Sequence, residues 1–151
     1  MPTDASEDGA VESSADPADS MPRDPIGREG RSVRLREATL ADAADLDARD
    51  ADPAMRGEFN DLGQPPAKPL AEHLANGKRM VSPERGRLLV ERIDDGAVIG
   101  DVSWHPVMYG PNEPSRALNI GVALDPDARG HGFGTEAQRL LAELLLEQFA
   151  V

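Results

Sequence analysis

"RALNIGVALDPDARGHGFGTEAQRLLAELLLEQF", residues 116–149, decides the fold because its apolar period changes partway along. Up to Leu124 the period is two. Leu118, Ile120, Val122 and Leu124 share one face of a strand, and Ala117, Asn119, Gly121 and Ala123 share the other. Pro126 ends the strand, and further on the spacing becomes helical. Ala137, Leu141, Leu144 and Leu145 line one side, with Leu140 and Phe149 at its margins, while Glu136, Arg139, Glu143 and Glu147 line the other. The first strand face suits a core under that helix. The second is small-sided, which leaves room over the sheet for a ligand or for a tightly packed neighbouring element.

Gly130, Gly132 and Gly134 stand where the helix begins, and each costs roughly 1 kcal/mol against alanine within a helix. A helix built for packing alone would not start this way. A strand, a glycine-rich turn and a helix N-terminus bring unpaired N–H groups and the positive end of the helix dipole to one point, which suits a phosphate or pyrophosphate. Bare glycines let those amides approach an anion, and Arg129 adds a charge-assisted contact. Other phosphate motifs fit less well. "GHGFGT" lacks the lysine of a Walker loop. The Gly-x-Gly-x-Gly spacing differs from a dinucleotide fingerprint, which also needs an acidic residue on a later parallel strand. No Gly-x-Ser-x-Gly elbow is present. His73, His105 and His131 stand apart, without the spacing of metal ligands, and read as surface residues, so no metal site is expected.

Working outward, "GRLLVERI" and "AVIGDVSWHPV" read as strands joined by a turn at Asp94-Asp95-Gly96, with 116–124 as the next antiparallel partner. "SVRLREAT" alternates as a half-buried strand. Thr39 offers an N-cap, with Asp42 at the third helical position, to a short acidic helix. Residues 51–69 read as a loop broken by Pro53, Gly57, Gly63, Pro65 and Pro66, and "LAEHLANGK" as a helix ending at Gly77. The elements describe an α/β (α+β) domain: a mixed, mainly antiparallel sheet with flanking helices.

Residues 1–30 hold eight acidic residues, two arginines and four prolines, and no aromatic. This composition predicts a disordered acidic tail ahead of a domain at 31–151. With 151 residues there is room for one core. A net charge of -12 argues against general nucleic-acid binding, and the absence of cysteine excludes disulfides and thiolate metal sites. No apolar run approaches a membrane span. The acidic N-terminus lacks the basic start and apolar stretch of a signal peptide, so a cytoplasmic location is expected.

Residues 118–141 resemble the acyl-CoA-binding segment of the GNAT superfamily of N-acetyltransferases. The Gly134-Thr135-Glu136-Ala137 ending is similar to the branch that includes ribosomal-protein N-terminal acetyltransferases. The resemblance extends over nearly all of residues 31–151, and it implies acetyl-CoA as co-substrate with a small-molecule or peptide amine as acceptor. By carry-over, backbone amides across Gly130, His131, Gly132, Phe133, Gly134 and Thr135, with Arg129 at the mouth, would hold the pyrophosphate. The main chain of Val122, Ala123 and Leu124 would pair with the pantetheine arm. Many relatives of this branch carry glutamate where Asn119 stands. Asparagine cannot act as a base, so Asn119 is left an orienting role and the general acid is unassigned.

The family's fold continues past the long helix with a further strand, a helix and a final hairpin. The resemblance therefore implies a fragment, truncated after Val151, that lacks the C-terminal strands. From this follow an open edge on the 116–124 strand, about five large side chains of the last helix left partly wet, and marginal stability or self-association through that edge. Two functions result: an N-acetyltransferase, or an inactive remnant that at most binds CoA or a partner chain.

Overall fold

The alternating runs pair as one sheet. The computed structural model describes residues 21–56 and 69–149. Strands β1 (Gly27–Glu29), β2 (Val33–Arg36), β3 (Gly86–Arg92), β4 (Val98–Met108) and β5 (Arg116–Leu124) lie in sequence order. Each pairs antiparallel with the next. The β3–β4 turn is set by Gly96, whose φ of 71° is left-handed, and it closes through Gly96 N–H to the Arg92 carbonyl at 2.8 Å. The helices are α1 (Ala43–Ala51), α2 (Pro53–Arg56), α3 (Leu70–Ala75) and α4 (Phe133–Phe149). A 3-10 turn, Leu40–Asp42, leads into α1. The Thr39 N–H and hydroxyl both donate to the Asp42 carboxylate, as the capping pattern predicts. Within the segment read as a loop, Pro53–Arg56 turns as short helix α2; residues 57–68, with Gly57, Gly63, Pro65 and Pro66, lie outside the described residues.

Helix α4 covers one face of the sheet. Val33, Leu35, Leu88, Val90, Val102 and Trp104 are buried with Ala137, Leu140, Leu141, Leu144 and Leu145 in one cluster. Leu140, expected at the margin, is in fact central to it. The other margin, Phe149, packs its ring 6.4 Å from that of Trp104. The expectation of about five wet leucines and phenylalanine does not hold: the four leucines at 140, 141, 144 and 145 are at most 3% exposed, and the large apolar residue of α4 left in water is Leu146. Glu136, read as solvent-facing, instead accepts from the N–H groups of Ser32 and Val33 at 2.9 and 2.8 Å and fixes the start of α4 against β2.

The segment before residue 31 also departs from expectation. Residues 1–20 lie outside the described residues, but the stretch from Met21 to Gly30 belongs to the domain. Met21 and Ile26 are buried in the core cluster, and β1 extends the sheet beyond β2. Arg79 donates to the Pro22 and Asp24 carbonyls, and Glu37 accepts from the Ile26 N–H at 2.6 Å. Average composition concealed two core residues within an acidic stretch. Arg28 reaches Glu143 and Glu147 on α4.

The opposite face of the sheet carries charge. Arg36 is shared between Asp42 and Glu91, Arg34 also binds Glu91, and Arg87 joins Asp50 of α1 to Asp101 of β4. Hydrogen bonding to Arg36 holds the Asp42 carboxyl down at about 2, against burial, with help from Thr39. Glu91 is lowered by Arg36 and then Arg34, again against burial. Since both carboxyls ionise more readily folded than unfolded, their contribution is complete above the unfolded value near 4 and is lost as pH falls through it toward 2. Unfolding measured from pH 6 to pH 2 should therefore show a declining acid limb. Arg36→Gln should flatten that limb by on the order of 1 kcal/mol, the pairs being partly screened by solvent. A limb of equal slope in the variant would count against this assignment.

Candidate functional site

At the end of β5 the chain makes a corner whose geometry follows from a few backbone bonds. The Asp125 N–H donates to the Ile99 carbonyl at 2.8 Å, so Asp125 faces β4. Antiparallel alternation then turns the N–H and C=O of Leu118, Ile120, Val122 and Leu124 outward, to the unpaired edge of β5. The Ala128 N–H returns to the Asp125 carbonyl at 2.9 Å and that of Arg129 to the Pro126 carbonyl at 3.3 Å. Arg49 of α1 holds the corner from behind, donating to the Val98 carbonyl and to Asp125 Oδ2. Burial foremost pushes the Asp125 carboxyl up, with Arg49 opposing and Asp127 adding to the rise.

Beyond the corner, Gly130 and Gly132 have φ of 81° and 84°, and a Cβ at either would meet open space. Their left-handed backbone, rather than crowding, calls for glycine here. The N–H groups of Gly130, His131, Gly132, Phe133, Gly134 and Thr135 find no backbone acceptor among the described residues. Helix α4 begins in this run, so its unpaired amides and the positive end of its dipole coincide with the glycine turn. The His131 ring lies 5.8 Å from that of Phe133. Arg129 Nε donates to the Leu124 carbonyl at 3.0 Å. That bond takes up one of the outward carbonyls of β5, and the Arg129 side chain is otherwise exposed. The side chains of Val122 and Leu124 lie beside the glycine turn: a Cβ at Gly134 would stand 3.4 Å from Leu124 Cδ1 and 4.0 Å from Val122 Cγ1. The side chain of Ala123 belongs to the opposite face.

Asn119 lies on that opposite face, exposed, away from the glycine turn. Its Nδ2 is 3.4 Å from Nε2 of His105, its register partner on β4. Sequence reading treated His105 as an isolated surface residue, since no spacing rule connects positions 14 apart on two strands. Among the described residues no group of three His, Asp or Glu side chains is placed to hold a metal ion. No helix among them is long and apolar enough to cross a membrane.

A family model described as an acetyltransferase (GNAT) domain matches residues 32–151. Solved structures share the fold. The GNAT-family acetyltransferase of Bacillus anthracis aligns at TM-score 0.57 and 11% identity over 83% of this chain and 69% of its own. The GCN5-related N-acetyltransferase of Brucella melitensis aligns at TM-score 0.54 and 22% identity over 85% and 57%. The ribosomal-protein-S5-alanine acetyltransferase of Vibrio fischeri aligns at TM-score 0.54 and 16% identity over 81% and 68%. The chain thus spans between 57% and 69% of the length of these structures. No curated protein matches the sequence.

Proposed function

The chain belongs to the GNAT acetyltransferase family, and from that membership we propose that it transfers the acetyl group of acetyl-CoA to a primary amine. The observation that carries this reading is the run of backbone N–H groups without acceptors at the start of α4, beside the open edge of β5. The pyrophosphate of CoA would take the amides of residues 130–135 and the outer nitrogens of Arg129. The pantetheine arm would run along the edge as an added strand, using the main chain of Val122 and Leu124. The thioester end then falls toward Ile120. There the amine nitrogen attacks the carbonyl carbon, the C–N bond forms, the C–S bond breaks, and an outward N–H of β5 stabilises the transient oxyanion. The acceptor is a peptide N-terminus or a small amine. Calorimetry with CoA, and thiol release from acetyl-CoA over a panel of amines, test the reading. No heat with CoA would remove the site, and binding without thiol release would leave a CoA-binding domain.

A second reading is favoured by the surface beside the same edge. Leu118, Ile120, Leu145, Leu146 and Phe149 line an apolar groove of about 750 Å³ along β5 and the C-terminal half of α4. We infer that a second copy of this chain occupies it, with β5 pairing antiparallel to its twin. A two-fold axis at Ile120 sets Arg116 opposite the partner's Leu124; the twin strand and the pantetheine arm would use the same edge, so dimer and bound CoA exclude each other. Sedimentation should find dimers at micromolar concentration, and Leu146→Glu should shift them to monomer by more than tenfold in Kd. A monomeric wild-type chain would dismiss the pairing.

A further inference from the structure

Acetyl transfer to an amine needs a group that takes the proton the ammonium must lose, and Asn119 cannot be that group. The face of β4 and β5 turned away from α4 holds few alternatives. Along β4 it presents Asp101, Ser103 and His105, and along β5 Ala117, Asn119, Gly121 and Ala123. Asp101 is engaged by Arg87 at 2.7 Å, and Arg87 is held in turn by Asp50 of α1. The Ser103 hydroxyl is no base near neutrality. His105 is the one remaining side chain on this face of β4 and β5, among the described residues, whose neutral form offers a basic nitrogen. It stands three residues, roughly 10 Å along the strand, from Val122, on the side toward which a pantetheine arm entering from the glycine turn would carry its thioester.

Building on the acetyl-CoA reading above, we propose that His105 is the general base of the transfer and that Asn119 is its positioning residue. The 3.4 Å contact joins Nε2 of the ring to the Asn119 amide, whose oxygen and nitrogen exchange places by a simple flip. With the amide oxygen accepting from Nε2–H, Nδ1 keeps its lone pair, on the sheet face that also carries the small residues Gly121 and Ala123. An amine placed there gives its proton to Nδ1, directly or through one water, as its nitrogen bonds to the acetyl carbon. The imidazolium can then return the proton to the departing thiolate, so the ring ends as it began. Arg87 on this face is paired with both Asp50 and Asp101.

The test compares wild type, His105→Gln, His105→Ala and Asn119→Ala, with CoA affinity by calorimetry as the reading of the cofactor site and kcat/KM against pH as the reading of the base. Unchanged CoA affinity with a kcat/KM loss of about 100-fold or more in both His105 variants is expected, together with disappearance of the acid limb. Added imidazole should restore part of the rate to His105→Ala. Asn119→Ala should keep the limb but displace it, with a loss of about tenfold. Equal rates and an intact acid limb in His105→Gln, or no turnover by wild type that binds CoA normally, would overturn the assignment and leave the cofactor site standing. A wild-type chain that fails to bind CoA would overturn both.

Discussion

A chain beginning at Arg31 should unfold roughly 10 to 20 °C below the full chain. Met21 and Ile26 are 9% and 5% exposed in the core cluster, and burial of each contributes about 1.5 to 3 kcal/mol. For a domain of this size each kcal/mol moves the midpoint by roughly 3 to 4 °C. Loss of β1 also uncovers β2, whose pairing with Gly27–Glu29 would pass to water. Ile26→Ala in the full chain should reproduce a large share of the effect, about 2 to 5 kcal/mol, because it leaves a cavity beneath the sheet. Arg28→Ala, which removes exposed ion pairs to α4, should cost far less than Ile26→Ala. Scanning calorimetry of the three variants decides. Equal midpoints for the shortened and full chains would mean that the segment rests on the domain without supporting it.

Gly132→Val should abolish measurable CoA binding while leaving a folded protein. Its φ of 84° suits a β-branched residue badly, at a cost of roughly 1 to 2 kcal/mol, and the new side chain would stand in the open space before the amides. Each charge-assisted bond lost to a phosphate is about 1.5 to 3 kcal/mol, so loss of two reduces affinity by more than about 100-fold. Gly96→Val supplies the control: φ is 71°, a Cβ there also meets nothing, and the turn lies at the β3–β4 hairpin. It should lose the same stability and keep its CoA affinity. Arg129→Ala should weaken binding by about 1 to 3 kcal/mol, the smaller effect of one side chain against a run of backbone donors. Parallel losses of CoA affinity in the variants at 96 and 132 would mean that strain, not obstruction, is being measured.

Long, periodic segments were legible before any coordinates. The β5 alternation, the leucine side of α4, the turn at Gly96 and the Thr39–Asp42 cap all follow from local spacing. What escaped depends on partners far along the chain. Strand β1 has three residues, too few for a period to register, and Met21 and Ile26 gain their place from a core that other segments build. Glu136 sits on the polar side of an amphipathic pattern, yet the amides of Ser32 and Val33 claim it. The glycine turn announced itself through residues unsuited to a helix start. The pair of His105 and Asn119 did not, because strand register alone makes them neighbours. Leu146, apolar like the leucines beside it, falls off their side by the same helical spacing and is exposed.

The bond from Glu136 to Ser32 and Val33, and the bridge from Arg28 to Glu143, span sequence separations of 103 to 115 residues. On the ribosome, strands β1 and β2 emerge long before the helix that clamps them. Until α4 clears the exit tunnel, Val33, Leu35 and Ile26 have no lid, and the growing sheet presents a greasy face to its surroundings. The α4 face of the sheet thus closes late and nearly all at once, after a wait set by more than a hundred intervening residues.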